Sequence, residues 1–329
     1  MTLKNQGADL VNRLVGVLFE DSLATLGQNL EYADWGFQDH FPDSSDQQIQ
    51  SWWGVGLSSL TVEGETYFSN TRYRDYPASI TFQKFSSRLT WTEEDVHWLM
   101  KKSEAAQINE VTSMVTGHIA GLNYRVNEAA AKHFYLGHGT TFFTGGDSLS
   151  LYNAAHTIRA GGTSRNIFSS GDTQRPFDGT ALVDALILMN RMVGQNGVQM
   201  LPVRNVKVLC SHENLPIVQK HIESKYGPNT PNLGESSSNV EALRRRGINI
   251  TYQVIPYLMT AYKDYWFLVD MDRAKSHLFM CWMWKPRLAS DTTVSNGTYE
   301  NDASAALGPV SLGWQHTFSS MGNSASITS

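Results

Sequence analysis

Apolar residues recur mostly in steps of three and four between Val96 and Ala130, and this spacing predicts one long amphipathic helix. Thr92 and Asp95 have the spacing of a capping box at its start. No proline or Asn-Gly cluster interrupts the stripe, so we expect an unbroken helix that continues to Tyr135. At 1.5 Å per residue such a helix would be roughly 65 Å long, far longer than most helices of globular domains.

The segment before this helix is rich in Thr, Tyr, Phe and Ser and predicts a two-armed β-ribbon. Its arms, Leu60–Thr71 and Ile80–Trp91, flank a turn at Tyr73–Pro77. A lone two-stranded ribbon is only marginally stable in water. We therefore expect the ribbon to project from a compact body and to be covered from outside, most economically by another copy of the same protein.

The regions on either side of the ribbon and the long helix differ from each other in amino-acid composition. An irregular aromatic stretch, Tyr32–Trp53, precedes the ribbon and has the composition of an arm that drapes over other surfaces. A Gly- and Thr-rich region follows the long helix and leads into an α/β pattern. The elements predicted there are a helix at Thr180–Val193, strands at Val206–Cys210 and Ile248–Val254, a hairpin of Tyr265–Val269 with Leu278–Trp284, a surface loop at Asp291–Leu307 and a final strand from Val310 to Phe318.

The composition is that of a globular protein with a substantial core: 329 residues, of which 41% are hydrophobic and 17% charged. The net charge of −5 argues against a dedicated nucleic-acid binder, which would present a strongly basic face. No apolar run is long enough to cross a bilayer, so we expect no membrane partner. Cys210 and Cys281 show no pairing motif, which favours a reducing compartment.

Two groups of residues have the chemistry of an active site or a metal site, but neither pattern is complete. Cys210 and His212 lie at a strand-to-helix turn, where a cysteine-dependent α/β hydrolase would carry its nucleophile. No oxyanion-hole motif accompanies them, and a buried structural cysteine is the better interpretation. His133, His138 and His156 match no metal-binding spacing. We therefore expect no catalytic residue, no cofactor and no metal.

A patch of small residues and histidine at Leu151–His156, the segment Asn166–Phe168 and the Leu- and Ala-rich helix Thr180–Met192 occur in a recognisable order. A glycine, a proline and the strand Val206–Cys210 then follow. Over residues 145–290 this order resembles the major capsid proteins of tailed bacteriophages, particularly the Mu-like head-subunit branch. The upstream order of arm, ribbon and long helix agrees with the resemblance.

The resemblance implies an α+β chain with the tailed-phage major capsid fold, which encapsulins share. The expected parts are an N-terminal arm at residues 1–56, an extended β-hairpin loop at 57–91 and a peripheral domain with the long spine helix at 92–178. An axial α/β domain would follow at 179–260. Residues 261–329 would return as strands through the axial and peripheral domains.

The resemblance also implies a structural protein, not an enzyme, that self-assembles into the icosahedral head around double-stranded DNA. Expected partners are further copies in hexamers and pentamers, portal, scaffolding and decoration proteins, and the packaged DNA through non-specific contact. The expected location is the virion capsid, assembled in the host bacterial cytoplasm. The alternative within the same fold is an encapsulin-type compartment, and the alternative from another class is the cysteine hydrolase.

Charged residues of the ribbon and aromatic residues of the arm are the expected contacts between subunits. Some branches of the family crosslink themselves through a lysine, and Lys84 is the candidate donor here, although no motif accompanies it. The predicted contact residues are Arg72, Arg74, Asp75, Lys84, Arg88, Trp35, Trp52 and Trp53.

Overall fold

The computed structural model describes residues 15, 17, 30–42, 48–49, 52–55, 72–74, 76–140, 145, 147–168, 175–223, 239–258, 260–288, 293–295 and 298–321. At residues 48–49, 52–55, 72–74, 239, 260, 288, 293–295 and 299 it describes the backbone. Within these ranges the chain has the predicted α+β fold class, and its strands form two main sheets.

The described ranges contain one very long helix among several short ones. The helices are α1 (Glu93–Met100), α2 (Glu104–Tyr135), α3 (Gly179–Asn190), α4 (Leu215–Glu223), α5 (Asn239–Arg245) and α6 (Met271–His277), with 3₁₀ turns at Glu31–Ala33 and Thr260–Tyr262. None of these helices is both long and apolar enough to cross a membrane.

The strands vary from two residues to 14. They are β1 (Gln38–His40), β2 (Gln48–Ile49), β3 (Trp52–Val55), β4 (Arg72–Arg74), β5 (Ala78–Ser79), β6 (Gln83–Thr92), β7 (His156–Thr157), β8 (Thr163–Ser164), β9 (Asn205–Cys210), β10 (Asn249–Val254), β11 (Trp266–Asp270), β12 (Leu278–Leu288), β13 (Thr293–Ser295), β14 (Thr298–Ser311) and β15 (Thr317–Ser320).

The larger sheet has five strands and carries α1 and the first half of α2 on one face. β14 is its centre: it pairs antiparallel with β6 on one side and with β12 and β13 on the other. β1 pairs parallel with β12 at the edge. A separate hydrophobic cluster joins the helices to this face, and its members include Trp91, Val96, Leu99, Val111, Val115, Ile119, Leu122 and Ala303.

The second sheet, which we call the axial sheet, has the strand order β10-β9-β11-β15. β9 and β10 are parallel, whereas β11 is antiparallel to both β9 and β15. Every residue of β11 is buried, because α4 and α5 contact β10, α3 contacts β15 and α6 contacts β9 and β11. A strand buried on both faces reads as a continuous apolar run, which is the pattern of Trp266–Val269.

The predicted helix from Thr92 to Tyr135 is interrupted once. Its capping box is confirmed: Thr92 Oγ1 accepts from the amide of Asp95 at 3.1 Å, and the Asp95 carboxylate accepts from the amide of Thr92 at 3.0 Å. However, α1 ends at Met100, and α2 begins after Ser103, whose backbone is extended. The 32 residues of α2 are still about 48 Å long at 1.5 Å per residue.

The pairing of the two predicted ribbon arms stays a prediction, because the first arm, Leu60–Thr71, lies outside the described residues. The second arm, Ile80–Trp91, contains most of β6, which pairs with β14 from Gln83 to Thr92. Tyr73 and Arg74, predicted as the start of the turn, lie in β4, which pairs with β3. A ribbon is present, but it lies earlier in the chain and consists of β2, β3, β4 and β5. We use the name ribbon for these four strands. Residues 56–71, which include the first predicted arm, lie outside the described residues.

Three predictions for the last part of the chain are wrong: the hairpin, the surface loop and the single final strand. β11 and β12 are not a hairpin but belong to different sheets, because α6 connects them. The predicted loop Asp291–Leu307 contains β13 and most of β14. Several buried residues of β14 are alanine, as at Ala303 and Ala305, and alanine gives a weak strand signal. The predicted last strand is divided: Val310 lies in β14 and Phe318 in β15.

The predictions for the axial region are mostly confirmed. Val206–Cys210 lies in β9, and Ile250–Val254 lies in β10. The predicted helix Thr180–Val193 is α3, which ends three residues early at Asn190.

Candidate inter-subunit surfaces

The ribbon pairs only with itself among the described residues. β2 pairs with β5 and β3 pairs with β4, both antiparallel. Neither pair joins the larger sheet or the axial sheet. A two-stranded ribbon without a third strand has half of its backbone groups directed away from its partner, and these groups need water or another chain.

The base of the ribbon, by contrast, is fixed to its own subunit. Ala78 and Ile80 are buried in a small cluster with Cys281 and Val310 of the larger sheet. A Cβ atom added to Gly308 would lie 2.6 Å from the carbonyl oxygen of Thr81. Only glycine at this position allows the chain to pass directly over β14. The ribbon is therefore tightly held where it leaves the body.

Arg88, a predicted contact residue, is paired within its own chain. Its guanidinium donates to Asp302 Oδ1 at 2.7 Å and to Asp302 Oδ2 at 3.1 Å, and it lies 2.8 Å from Glu300 Oε2. These hydrogen bonds lower the pKa of Asp302. The cluster is exposed on the outer face of the larger sheet, and Lys84 lies on the same strand and is also exposed. Arg88 and Asp302 are directly opposite in the register of β6 and β14.

The remaining predicted contact residues divide into two groups. Trp35 has no exposed surface and contacts Tyr257 edge-on, so it belongs to its own subunit's core and is removed from the contact residues. Its neighbour Phe37 is buried in the same core. For the other group the structure describes only the backbone of Trp52 and Trp53 in β3 and of Arg72 and Arg74 in β4. Asp75 lies outside the described residues.

A polar cluster around Asp39, which no sequence pattern marks, holds the beginning of the aromatic arm on the body of the protein. We call this cluster the node. The Asp39 carboxylate accepts hydrogen bonds from the Tyr32 hydroxyl at 2.5 Å, the Trp282 indole N–H at 2.8 Å and the Lys285 ammonium at 2.6 Å. Burial tends to raise the pKa of Asp39, but these donors outweigh it and lower the pKa. Because Trp282 lies 243 positions away in the chain, no local pattern marks this site.

Several large apolar side chains are exposed on the body. Trp98 on α1 is 64% exposed, Tyr124 on α2 is 53% exposed and Leu201 is 85% exposed. Leu201 lies on the rim of a groove of about 620 Å³ between the segment before β9 and α6. Asp270 and Arg273, which form a buried ion pair with 2.9 Å between Oδ2 and Nε, also line this groove.

The residues that the sequence suggests for cysteine catalysis do not form an active site in the structure. Cys210 is fully buried, and burial raises the pKa of its thiol to about 12, which opposes formation of a nucleophilic thiolate. Ser211 caps the turn before α4: its Oγ accepts from the amide of Asn214 at 3.1 Å. Cysteine catalysis at the end of β9 is therefore not supported.

The three histidines His133, His138 and His156 have different hydrogen-bond partners and do not meet at one site. His133 contacts Ser311 Oγ at 2.7 Å, His138 contacts Ser319 Oγ at 2.9 Å and His156 contacts Asp147 at 2.7 Å. Within the part of the chain that the structure describes, no three metal-ligating side chains converge.

Comparison with known proteins finds similarity in fold but not in sequence. No family model and no curated protein matches the sequence. The capsid of Myoviridae phage XM1 is similar with a TM-score of 0.53 and 14% identity, over 89% of this chain and 92% of that chain. The capsid of cyanophage P-SCSP1u has a TM-score of 0.49 and 15% identity, over 86% and 85%. A virus-like particle from Pyrococcus furiosus has a TM-score of 0.44 and 8% identity, over 92% and 97%.

The similarity to the phage XM1 capsid covers nearly the whole of each chain. At this level of identity it establishes the fold and confirms the predicted fold class. The assignment to the Mu-like branch stays a prediction. The chain has the fold of a tailed-phage major capsid protein.

Proposed function

We propose that this protein is the major subunit of a phage head: many copies assemble into a closed icosahedral shell around double-stranded DNA. The observation that carries the proposal is the ribbon. Its strands pair only with one another among the described residues, yet its base is clamped to a well-packed body. An arm that is held firmly at one end and has no partner sheet needs a surface on another molecule.

In the proposed shell, each ribbon lies on a neighbouring subunit and each N-terminal arm passes between subunits. Closed rings of identical chains require heterologous contacts, in which different surfaces of the two copies meet. The ribbon and the body provide two such different surfaces. The domain division at residues 1–56, 57–91, 92–178, 179–260 and 261–329 is part of this proposal, with the ribbon boundary moved to begin at β2.

The proposed partners follow from this role. They are further copies in hexamers and pentamers, portal, scaffolding and decoration proteins, and the packaged DNA. With a net charge of −5, the chain would contact DNA weakly and non-specifically, because DNA binding depends mainly on cationic side chains. The proposed location is the virion, with assembly in the host bacterial cytoplasm.

Replacement of the outer ribbon tests the proposal. Exchanging residues 52–74 for a short Gly-Ser linker leaves the β2–β5 pair and the whole body intact. We expect this variant to fold with the same unfolding temperature as the wild type before assembly, but to form no closed shells in negative-stain microscopy. Closed shells of normal diameter from the shortened chain would refute the proposal.

The contents of wild-type shells distinguish a phage head from an encapsulin-type compartment. Nuclease-protected double-stranded DNA in particles produced with the remaining head proteins supports the phage head. Particles that are free of DNA and filled with a co-purifying enzyme would replace it with an encapsulin-type compartment.

A further inference from the structure

The β7–β8 hairpin contacts Tyr76 at the base of the ribbon and Gln195 in the segment between α3 and β9. Its turn, Ile158–Gly162, is closed by a hydrogen bond from the Ile158 amide to the Gly162 carbonyl at 3.1 Å. Gly161 and Gly162 have φ values of +102° and +87°, which other residues rarely adopt. The turn therefore has a defined shape that presents Arg159 at its tip.

On one side, the hairpin contacts the base of the ribbon. The Arg159 guanidinium lies over the ring of Tyr76, 4.4 Å from its centroid. Tyr76 is two residues before β5, the last ribbon strand. A guanidinium stacked on an aromatic face at this distance is an attractive cation–π contact.

On the other side, the hairpin is bonded to the segment that leads into the axial sheet. The Arg159 amide donates to Gln195 Oε1 at 3.0 Å, and the Ala160 amide donates to the Gln195 carbonyl at 3.1 Å. Gln195 is completely buried and lies between α3 and β9. One residue, Arg159, thus bonds to the axial segment through its backbone and to the ribbon through its side chain.

The root of the hairpin is rigid. His156 is buried, contacts Asp147 Oδ2 at 2.7 Å through Nδ1 and stacks on Trp314 with a centroid distance of 4.4 Å and an angle of 7°. The same side chains line a small pocket behind Tyr76 and Ala78. The turn of the hairpin is bonded to Gln195 and contacts Tyr76, and its first strand is packed on Trp314 through His156. A hairpin held in this way can transmit a movement of the ribbon base to the segment before β9.

We propose that the β7–β8 hairpin is a strut that couples the angle of the ribbon to the axial sheet, with Arg159 as the residue that holds the ribbon base. This inference rests on the proposed function in one respect: the angle acquires its biological role when ribbons lie on neighbouring subunits. In a shell, the strut makes the ribbon direction depend on the packing of the axial domains around each ring. It thereby restricts the curvature that the lattice adopts.

Hydrogen–deuterium exchange of the full-length, unassembled chain tests the strut without requiring assembly. In Arg159→Ala we expect the amides of Tyr76, Ala78 and Ser79 to exchange roughly two- to fivefold faster, the factor that an exposed cation–π contact corresponds to. Arg159→Lys keeps a cation and is expected to lie between wild type and Arg159→Ala. The matched control is Arg191→Ala, which removes an exposed arginine at the end of α3 and leaves exchange at these amides unchanged.

Microscopy of particles assembled from the same variants gives the second readout. We expect a broader distribution of shell diameters for Arg159→Ala than for Arg191→Ala. Unchanged exchange in Arg159→Ala, or an equal increase in the control, would overturn the strut even if wild-type shells form. Faster exchange in Arg159→Ala from a chain whose wild type never forms shells would support the strut and refute the shell.

Discussion

The axial sheet and the ribbon are both built from short strands, but they differ in what covers them. β11 is buried over all five residues by strands and helices of its own chain. The ribbon strands pair with one another and with no other described strand. A sheet that satisfies its own backbone and side chains is stable before assembly, whereas in the proposed shell the ribbon obtains its stability from a neighbour. On that proposal, the axial sheet determines folding and the ribbon determines association.

The largest expected loss of folding stability comes from a substitution in the axial sheet. Phe267 on β11 is completely buried and contacts the ring of Phe134 at the end of α2. Phe267→Ala should lower the free energy of unfolding by about 3–5 kcal/mol, because a large cavity remains in a close-packed core. Urea unfolding of the unassembled chain measures this loss. The linker replacement of residues 52–74 should cause no comparable loss, and an equal loss in both variants would contradict the comparison.

A second effect concerns pH and the junction between α2, β14 and α6. Burial lowers the pKa of His133 to about 3. Burial also lowers the pKa of His316, and nearby His277, His133 and Arg273 add repulsion. Ser311 lies between the two rings, 2.7 Å from His133 and 3.3 Å from His316. Both histidines are therefore neutral in the folded chain at neutral pH.

The sign of the pH dependence follows from these shifts. A histidine whose pKa is lower in the folded than in the unfolded state stabilises the fold above pH 6.5, and this stability is lost as the pH falls. At pH 4 the loss from His133 is on the order of 3 kcal/mol. In His133→Gln, unfolding free energies between pH 6.5 and pH 4 should fall less steeply than in wild type. The exposed His97→Gln is the control, and parallel slopes in wild type and His133→Gln would contradict this account.

A smaller effect is expected at the anchor of the arm. Tyr32→Phe removes the hydroxyl that donates to Asp39 and leaves the ring packed against Trp282. Hydrogen bonds to charged groups contribute roughly 1.5–3 kcal/mol, and Asp39 keeps its other donors, so we expect a loss near the lower end of this range. Thermal unfolding measures it. No loss at all would show that the node does not anchor the arm.

The smallest effect on folding is expected on the outer face of the larger sheet. Arg88→Ala removes the exposed cluster with Asp302 and Glu300, and exposed ion pairs contribute little to stability. We expect an unchanged unfolding temperature and an unchanged diameter of assembled shells, because the pair is satisfied within its own chain. Loss of shells with normal folding would restore Arg88 as a contact between subunits.

The periodic elements were predictable because their signals are local. The stripe of α2 and the apolar runs of β9 and β11 reflect burial of a helix face or of both strand faces, and each was recognised. The break at Ser103 was missed, since helices often end without proline or glycine. β14 gives a weak strand signal because several of its buried residues are alanine and it also buries the polar Asn301 and Ser311.

The pairing of strands was not predictable, because register depends on distant residues. β6 pairs with a strand more than 200 positions away, as its ion pair of Arg88 with Asp302 shows. A local hairpin with Leu60–Thr71 is the simpler interpretation of the sequence, and it gives no sign of the pairing with β14. The same holds for Asp39, whose donors come from two regions of the chain. Trp35 was assigned to a neighbour because aromatic residues are common both in cores and at interfaces.

Electron microscopy of particles assembled from the purified chain, at a resolution that traces the backbone of the ribbon, tests the central claim most directly. The account predicts closed shells in which β3 and β4 of each subunit lie against the body of an adjacent subunit. A chain that stays monomeric at high concentration, with the same strands folded back onto its own sheets, would contradict it.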